Sequence, residues 1–112
     1  LVTNVLPRTY PKGQSVEILL TATYQNTYER MQEAEDLEHV TMFFHNHPED
    51  FRIQNFALAE NLNHIRLCVD TWQDMEIFAA IVSKMSRPHW EYTLEDILQI
   101  HQRLALSDTD LL

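Results

Sequence analysis

Two histidines, His45 and His47, stand one residue apart immediately before Pro48. Imidazole is a common ligand of Zn²⁺, and a histidine pair with a further ligand can form a hydrolytic metal site. In an α-helix, however, residues i and i+2 project about 200° apart, so the pair could share one ion only from a strand or a loop. The surrounding residues predict a helix that Pro48 ends. We therefore expect both histidines to be polar residues near a helix end.

The run from His45 to Pro48 resembles a motif of zinc-dependent isopeptidases, in which two histidines and a later aspartate bind zinc and an upstream glutamate acts as the base. That motif places the aspartate eleven positions after the second histidine. Leu58 occupies this position here. The sequence therefore does not favour a metallohydrolase.

One aspartate, Asp70, stands between a predicted strand and a predicted helix. Ligands of open α/β sheets bind outside the carboxyl ends of the strands. A carboxylate at such a point can bind Mg²⁺, which prefers oxygen ligands and commonly keeps substrate phosphates in its coordination shell. The position is equally compatible with an ordinary aspartate beside a helix cap at Thr71.

The composition limits the kinds of protein that this chain can be. Its 112 residues, 45% hydrophobic and 22% charged, predict one globular domain over residues 1–112. The net charge of −9 argues against binding nucleic acid, whose phosphates require a basic surface. No apolar run approaches the ~20 residues that span a bilayer, and the first residues do not look like a signal peptide. We expect a cytoplasmic protein with no membrane partner, and the single cysteine, Cys68, agrees with a reducing compartment.

Glycine is nearly absent from the sequence, with Gly13 as its one occurrence. Loops that wrap a phosphate closely are usually rich in glycine, because glycine tolerates the required dihedral angles and lets backbone N–H groups approach the ligand. The chain therefore carries no complete phosphate-binding loop of the P-loop or dinucleotide-binding kind.

The hydrophobic pattern predicts strands that alternate with helices. A turn is expected at Tyr10-Pro11-Lys12-Gly13. Strands are expected over residues 15–20, 51–58 and 64–70. Helices are expected over residues 21–35 and 36–47. Two further helices should begin at the capping pairs Thr71 with Asp74 and Thr93 with Asp96.

These elements predict an α/β fold, or mixed α+β in the isolated chain, with about three strands and four helices. In the third helix, an apolar stripe should face the core, formed by Met75, Phe78, Ala79, Val82 and Met85. Three strands are few for a doubly wound sheet, so the chain is expected to be part of a larger fold.

Three segments resemble, in order, parts of the spore coat polysaccharide biosynthesis type of cytidylyltransferase, a relative of the acylneuraminate and Kdo cytidylyltransferases. They read VTNVLPRTYPKGQSVEIL, LEHVTMFFHNHPEDFRIQN and LNHIRLCVDTWQDMEIFAAI. The resemblance runs from about Val2 to Ile100. It implies the C-terminal portion of a Rossmann-like nucleotide-diphospho-sugar transferase fold, whose N-terminal nucleotide-binding half is absent from this sequence.

The resemblance also implies an activity. Enzymes of this family transfer CMP from CTP to a sugar acid, release pyrophosphate, use Mg²⁺ and commonly form homodimers. In their Val-Asp-Thr segment, Asp70 would be the catalytic, metal-side carboxylate and would act with an aspartate from the absent half. Asp74 is better explained as the partner of the helix cap. The chain alone is expected to be inactive.

The family's Pro-Arg-Thr-Tyr-Pro segment matches the chain from Pro7, and the resemblance suggests three substrate-binding residues. Arg8 is a candidate for binding the substrate carboxylate, because guanidinium forms a bidentate fork with that group. Lys12 could add a second positive charge, and Glu17 could accept hydrogen bonds from sugar hydroxyls. For Lys12 and Glu17, the simpler alternatives of a surface lysine and an outward-facing strand residue are favoured.

The sequence departs from the family pattern at several positions. Ser15 replaces the family aspartate before the Val-Glu pair, Trp72 and Gln73 replace a proline and a glutamate, and Met42 replaces a proline. A non-catalytic interaction module is the alternative function, with three aromatic side chains as a binding face: Tyr24, Tyr28 and Trp90.

Overall fold

Three short strands organise the first part of the chain. The computed structural model describes residues 1–110. Strand β1 (Val2–Thr3) lies between β2 (Glu17–Ile18) and β3 (Gln54–Asn55). It pairs antiparallel with β2 and parallel with β3. Because side chains alternate between the faces of a sheet, the paired residues Thr3 and Glu17 share one face and Val2 and Ile18 share the other.

The chain divides into two compact units, Leu1–Arg66 and Leu67–Leu112. The first contains the sheet, and the second contains the two longest helices. The prediction of one domain over residues 1–112 stays a prediction, because two such units can belong to one domain.

Three α-helices follow β2 in the first unit: α1 (Thr21–Tyr28), α2 (Ala34–Glu38) and α3 (Met42–Asn46). A 3₁₀ helix spans Pro48–Asp50. The core cluster of this unit consists of Met31, Phe43 and Phe44, against which four partly buried side chains pack: Leu1, Leu19, Tyr24 and Phe51. Burial of these apolar side chains is the main source of stability for the unit.

The predicted helix over residues 36–47 is two helices instead of one. The backbone is extended at His39, with φ −110° and ψ 102°, so α2 ends there and α3 begins at Met42. The adjacent side chains of Phe43 and Phe44 are both buried. Leu37 and Val40 are exposed and do not share a buried helix face with Phe44. The helix predicted over residues 21–35 likewise ends at Tyr28.

The strand predictions hold in part. The strand expected over residues 15–20 is reduced to β2, and the one expected over residues 51–58 is reduced to β3. Residues 64–70 do not form a strand. A single parallel bridge joins Lys12 to Arg66, and the Lys12 amide donates to the Ile65 carbonyl at 2.8 Å. The branched residues there suit a strand, but the segment contributes a single bridge to the described pairing, at Arg66.

The second unit contains α4 (Trp72–Ser83), a 3₁₀ helix (His89–Glu91) and α5 (Leu94–Asp110). Both predicted capping pairs are confirmed at the starts of α4 and α5. Helix α4 contacts α5, and Ile81 is buried. The stripe expected in the core is wrong in part, because Phe78 is 52% exposed and Met75 and Val82 are also exposed.

The fold is therefore a mixed α/β arrangement with a three-stranded sheet and five α-helices, which confirms the predicted class. Within residues 1–110, none of the helices combines the length and the apolar character that crossing a membrane requires.

Candidate functional site

A loop over residues 6–16 carries two of the predicted substrate-binding residues, and two asparagines, the buried Asn4 and the partly buried Asn55, hold its backbone. Asn4, only 1% exposed, donates from Nδ2 to the Gln14 carbonyl at 2.8 Å and accepts at Oδ1 from the Val16 amide at 2.9 Å. Asn55 accepts from the Leu6 amide at 2.9 Å and donates to the Pro7 carbonyl at 3.1 Å. These bonds satisfy backbone groups that a loop otherwise leaves to water, so the loop has a defined shape.

The turn in this loop explains the single glycine. The Gln14 amide donates to the Pro11 carbonyl at 3.1 Å, so the turn begins at Pro11, one residue later than predicted. Gly13 is its third residue and has φ 100°. A side chain at this φ would clash with the backbone, which is why this turn type favours glycine there.

Arg8 extends its guanidinium along the loop. Its Nη2 donates to Ser15 Oγ at 2.8 Å, and its Nη1 donates to the Pro11 carbonyl at 3.5 Å. The side chain is half-buried, whereas Lys12 is exposed. The loop thus fixes Arg8 and leaves the Lys12 ammonium at the surface.

Glu17 lies on β2 and contacts the helix α3 region. Its carboxylate accepts from Thr41 Oγ1 at 2.6 Å and lies 2.9 Å from His45 Nε2. Partial burial raises the pKa of the Glu17 carboxyl, but hydrogen bonds from Thr41, His45 and Thr3 outweigh burial and hold this pKa below its usual value. The outward-facing alternative for Glu17 is therefore wrong: the carboxylate joins the sheet to the start and middle of α3.

We expect the stability of the first unit to depend on Glu17 in acid. Because the folded-state pKa of Glu17 is lowered, its stabilising effect is present above the usual value of 4.5 and is lost as the pH falls through the folded value. Urea unfolding should show that Glu17→Gln destabilises the chain at about pH 6 and much less at about pH 3. The exposed Glu29→Gln serves as the control. An equal effect of Glu17→Gln at both pH values would contradict the account.

The two candidate zinc ligands, His45 and His47, have separate partners. His45 faces Glu17, whereas His47 Nδ1 lies 2.8 Å from the Phe43 carbonyl and its ring stacks on the Phe43 ring with 4.1 Å between centroids. Among the residues that the structure describes, no three His, Cys, Asp or Glu side chains lie close enough to hold a metal ion together. Both histidines thus have structural contacts at α3.

Asp70 occupies the segment before α4 rather than the end of a strand. It is exposed, and its backbone amide donates to Asp74 Oδ2 at 2.9 Å. Asp74 also completes the capping box: its Oδ2 accepts from the Thr71 amide at 3.0 Å, and its own amide donates to Thr71 Oγ1 at 3.1 Å. The buried Asp74 carboxylate therefore fixes the backbone that carries Asp70.

We expect Asp74→Ala to destabilise the second unit by about 1–2 kcal/mol, because it removes the cap and leaves the amides of Asp70 and Thr71 without their partly buried acceptor. Asp96→Ala is the matched control, since Asp96 caps α5 in the same way but its side chain is more exposed. Its expected cost is about 1 kcal/mol or less. Thermal unfolding measures both variants, and an equal or reversed order would contradict the role given to Asp74.

The structure places the predicted site residues in both units. Arg8, Lys12 and Glu17 lie in Leu1–Arg66, and Asp70 lies in Leu67–Leu112. Sequence reasoning missed the two asparagines that shape the loop, Asn4 and Asn55. No spacing rule marks such an asparagine, because its role depends on backbone groups that are distant in sequence.

Asp70 suits a hard cation as a single oxygen ligand. Mg²⁺ is commonly held by one or two carboxylates together with substrate phosphates and water. Asp70 is exposed, whereas Asp74 is buried and accepts two backbone hydrogen bonds. The exposed carboxylate of this segment is therefore that of Asp70.

The fold is similar to that of a solved cytidylyltransferase from Leptospira borgpetersenii serovar Hardjo-bovis, with a TM-score of 0.83 and 19% sequence identity. The similarity covers 93% of this chain and 43% of that chain. This chain thus spans less than half the length of its structural neighbour. No protein-family model matches the sequence, and no curated protein matches it significantly. At this identity the likeness establishes the fold, which is that of part of a cytidylyltransferase.

Proposed function

We propose that this chain is the C-terminal, sugar- and metal-side part of an enzyme that transfers CMP from CTP to a sugar acid in polysaccharide biosynthesis. The observation that carries the proposal is the likeness of its fold, over 93% of its length, to the Leptospira cytidylyltransferase. The sequence resemblance to the spore coat type and to the acylneuraminate and Kdo cytidylyltransferases favours a sugar acid as the acceptor. By the same resemblance, the complete enzyme is a homodimer, and the composition with its single cysteine favours a cytoplasmic location.

The exposed apolar side chains support the proposal that further polypeptide completes the enzyme. In the first unit, Ile18 on the edge strand β2 is 65% exposed and Leu20 is also exposed; in the second unit, Phe78 is exposed. Sheets of α/β proteins usually have both faces covered. A nucleotide-binding half would supply such cover.

In the proposed mechanism, Arg8 binds the carboxylate of the sugar acid through its guanidinium and so orients the sugar. Lys12 adds positive charge at the surface of the same loop. A sugar hydroxyl attacks the α-phosphorus of CTP, the bond to the β-phosphate breaks, pyrophosphate leaves, and the hydroxyl proton passes to solvent or to a base. Glu17 is not assigned to the sugar, because Thr41 and His45 already occupy its carboxylate.

Asp70, with a second carboxylate from the nucleotide-binding half, would hold Mg²⁺. When bound, the ion neutralises charge on the triphosphate and on the leaving pyrophosphate. The contribution of this chain is to keep the Asp70 carboxylate on a segment that Asp74 fixes before the substrate arrives.

The isolated chain of 112 residues is expected to form no CMP-sugar from CTP, Mg²⁺ and a sugar acid, because it lacks a phosphate-binding loop. The test adds a separately expressed nucleotide-binding half, or uses a longer chain that contains it, and measures pyrophosphate release. Activity should appear only in the combined protein. CMP-sugar formation by the 112 residues alone would contradict the proposed division of roles.

The second candidate function is a non-catalytic interaction module. The exposed aromatic side chains that favour it are Trp90, which is 74% exposed, and Tyr28. Tyr24 packs against the core cluster, so it does not belong to the proposed aromatic binding face. The variant Asp70→Asn distinguishes the two functions. An interaction module should keep its binding, whereas an enzyme should lose Mg²⁺-dependent turnover.

A further inference from the structure

A cavity of about 330 Å³ lies beside the core cluster of the first unit. Its apolar lining comes from segments that are distant in sequence: Leu1, Leu19, Leu20, Phe44 and Phe51. The three predicted substrate-binding residues are not among the lining residues. Sites for small ligands usually have at least such a volume, a mostly apolar lining and a few polar groups that fix the orientation of the ligand. The cavity is therefore separate from the candidate site, and its size suits a small ligand.

The exposure of the lining residues distinguishes the floor of the cavity from its mouth. Phe44 is 0% exposed, and Leu19 and Phe51 are half-buried. Leu20, in contrast, is 76% exposed, and Arg52 is also exposed. An apolar group that enters between Leu20 and Arg52 would therefore lie against the Phe44 ring and out of contact with water.

Arg52 is the one charged side chain in the lining among residues 1–106. Its backbone is fixed on the sheet, because the Leu1 nitrogen donates to the Arg52 carbonyl at 3.0 Å and the Gln54 amide donates to the Leu1 carbonyl at 2.9 Å. Over the same residues no carboxylate forms an ion pair with the Arg52 guanidinium, whereas Arg30 pairs with Asp50 at 2.9 Å. The mouth of the cavity thus carries a positive charge in a chain whose net charge is −9.

The lining also specifies the chemistry of a ligand. A guanidinium forms a bidentate fork with a carboxylate, so a single carboxylate matches Arg52 in both charge and geometry. The Thr23 hydroxyl, which also lines the cavity, can donate a further hydrogen bond. The lining side chains around Phe44 are apolar, which suits an apolar tail.

We propose that this cavity binds a small amphiphilic carboxylate: the carboxylate pairs with Arg52 at the mouth, and an aliphatic tail occupies the space beside Phe44. The tail would cover the exposed Leu20 side chain, and burial of both apolar surfaces stabilises the complex. Such a ligand differs from a sugar acid, whose hydroxyl groups would lose their hydrogen bonds to water in an apolar cavity. This second binding site does not depend on the proposed nucleotidyl transfer.

The test is a calorimetric titration of the 112-residue chain with octanoate. Acetate, which lacks the tail, and octanol, which lacks the charge, are the two ligand controls. We expect octanoate to bind, octanol to bind about tenfold more weakly, and acetate not to bind. Shortening octanoate to hexanoate should weaken binding by about tenfold, because each buried methylene group changes affinity about fourfold.

Two variants separate the contribution of the charge from that of the apolar surface. Arg52→Gln should weaken octanoate binding about tenfold and leave octanol binding within about twofold, because it removes only the charge and the fork. Leu20→Asn should weaken both ligands about threefold or more, since the apolar surface at the mouth is lost. Arg103→Gln, the same change at an exposed position of α5, is the matched control and should leave octanoate binding within about twofold. All three positions are exposed, so the variants are expected to fold, and thermal unfolding checks this.

Absence of octanoate binding by the folded, unaltered chain would overturn the proposal, and so would equal effects of Arg52→Gln and Arg103→Gln. Octanol that bound as tightly as octanoate would also overturn it. The cavity would then accept an uncharged apolar group, such as a side chain of further polypeptide, instead of a carboxylate.

Discussion

If the proposed function is right, replacing Asp70 with asparagine is expected to lower the Mg²⁺-dependent rate of nucleotidyl transfer by a complete enzyme that contains this chain, by about 100-fold or more. Asparagine has nearly the size of aspartate but lacks the negative charge that a hard cation requires. We expect the loss in kcat at saturating CTP, because the Asp70 carboxylate would be needed in the transition state, where negative charge develops on the leaving pyrophosphate. Steady-state pyrophosphate release measures it.

The control for Asp70→Asn is Glu95→Gln, which removes a charge from an exposed position of α5. Its rate should stay within about twofold of the unaltered enzyme, since exposed charges away from a site contribute little. Both variants should unfold at the same temperature as the unaltered protein. If Asp70→Asn folded normally and retained full activity, the assignment of Asp70 to the metal would be wrong.

Replacing Phe44 with alanine is expected to destabilise the chain by about 3–5 kcal/mol. Phe44 is fully buried, at 0% exposure, and its ring contacts Phe51 and Tyr24 at centroid distances of 4.6 Å and 6.2 Å. Alanine leaves a cavity that the neighbouring rings cannot fill without leaving their rotamers. Since domains have only about 5–15 kcal/mol of stability, this change should unfold a large part of the first unit. Urea unfolding measures the loss.

The matched control is Phe78→Ala on α4, which removes the same side chain from a half-exposed position. We expect it to cost about 1 kcal/mol or less in the isolated chain, because little apolar contact is lost. If the two variants had equal effects, the core would not lie at the Phe43 and Phe44 pair.

Local signals in the sequence predicted the second unit best. The capping pairs at Thr71 with Asp74 and at Thr93 with Asp96 depend on residues three positions apart, so a short window contains the whole interaction. Which face of α4 is buried could not be predicted in the same way. An apolar stripe marks a face that can pack, and the partner that covers it need not be present in the chain.

The sheet was harder to predict because its pairing is not local. Strand β1 precedes the prolines of the loop and pairs with segments about 15 and 50 residues further along. A strand of two residues carries no usable alternation of its own. The segment over residues 64–70 has strand-forming residues but only one bridging partner, which composition does not reveal.

The sequence predicts the charged residues of the candidate site but not the groups that contact them. Resemblance indicated Arg8 and Asp70, whose types suit anion and metal binding. The contacts of Glu17 with Thr41 and His45 join residues that are more than 20 positions apart, so no spacing in the sequence could show that this carboxylate is occupied. Asn4 and Asn55 likewise bond backbone groups at least ten positions away, which no short window contains.

Mass-spectrometric detection of a CMP-sugar is the most direct test of the proposed transfer of CMP to a sugar acid. The protein to test is a complete one that contains these 112 residues. The protein is incubated with CTP and Mg²⁺ and with sugar acids such as N-acetylneuraminate and Kdo, and N-acetylglucosamine is the uncharged comparison. We expect a CMP-linked product and pyrophosphate with at least one sugar acid and none with the uncharged sugar. A folded, complete protein that consumes no CTP with any sugar acid would contradict the account.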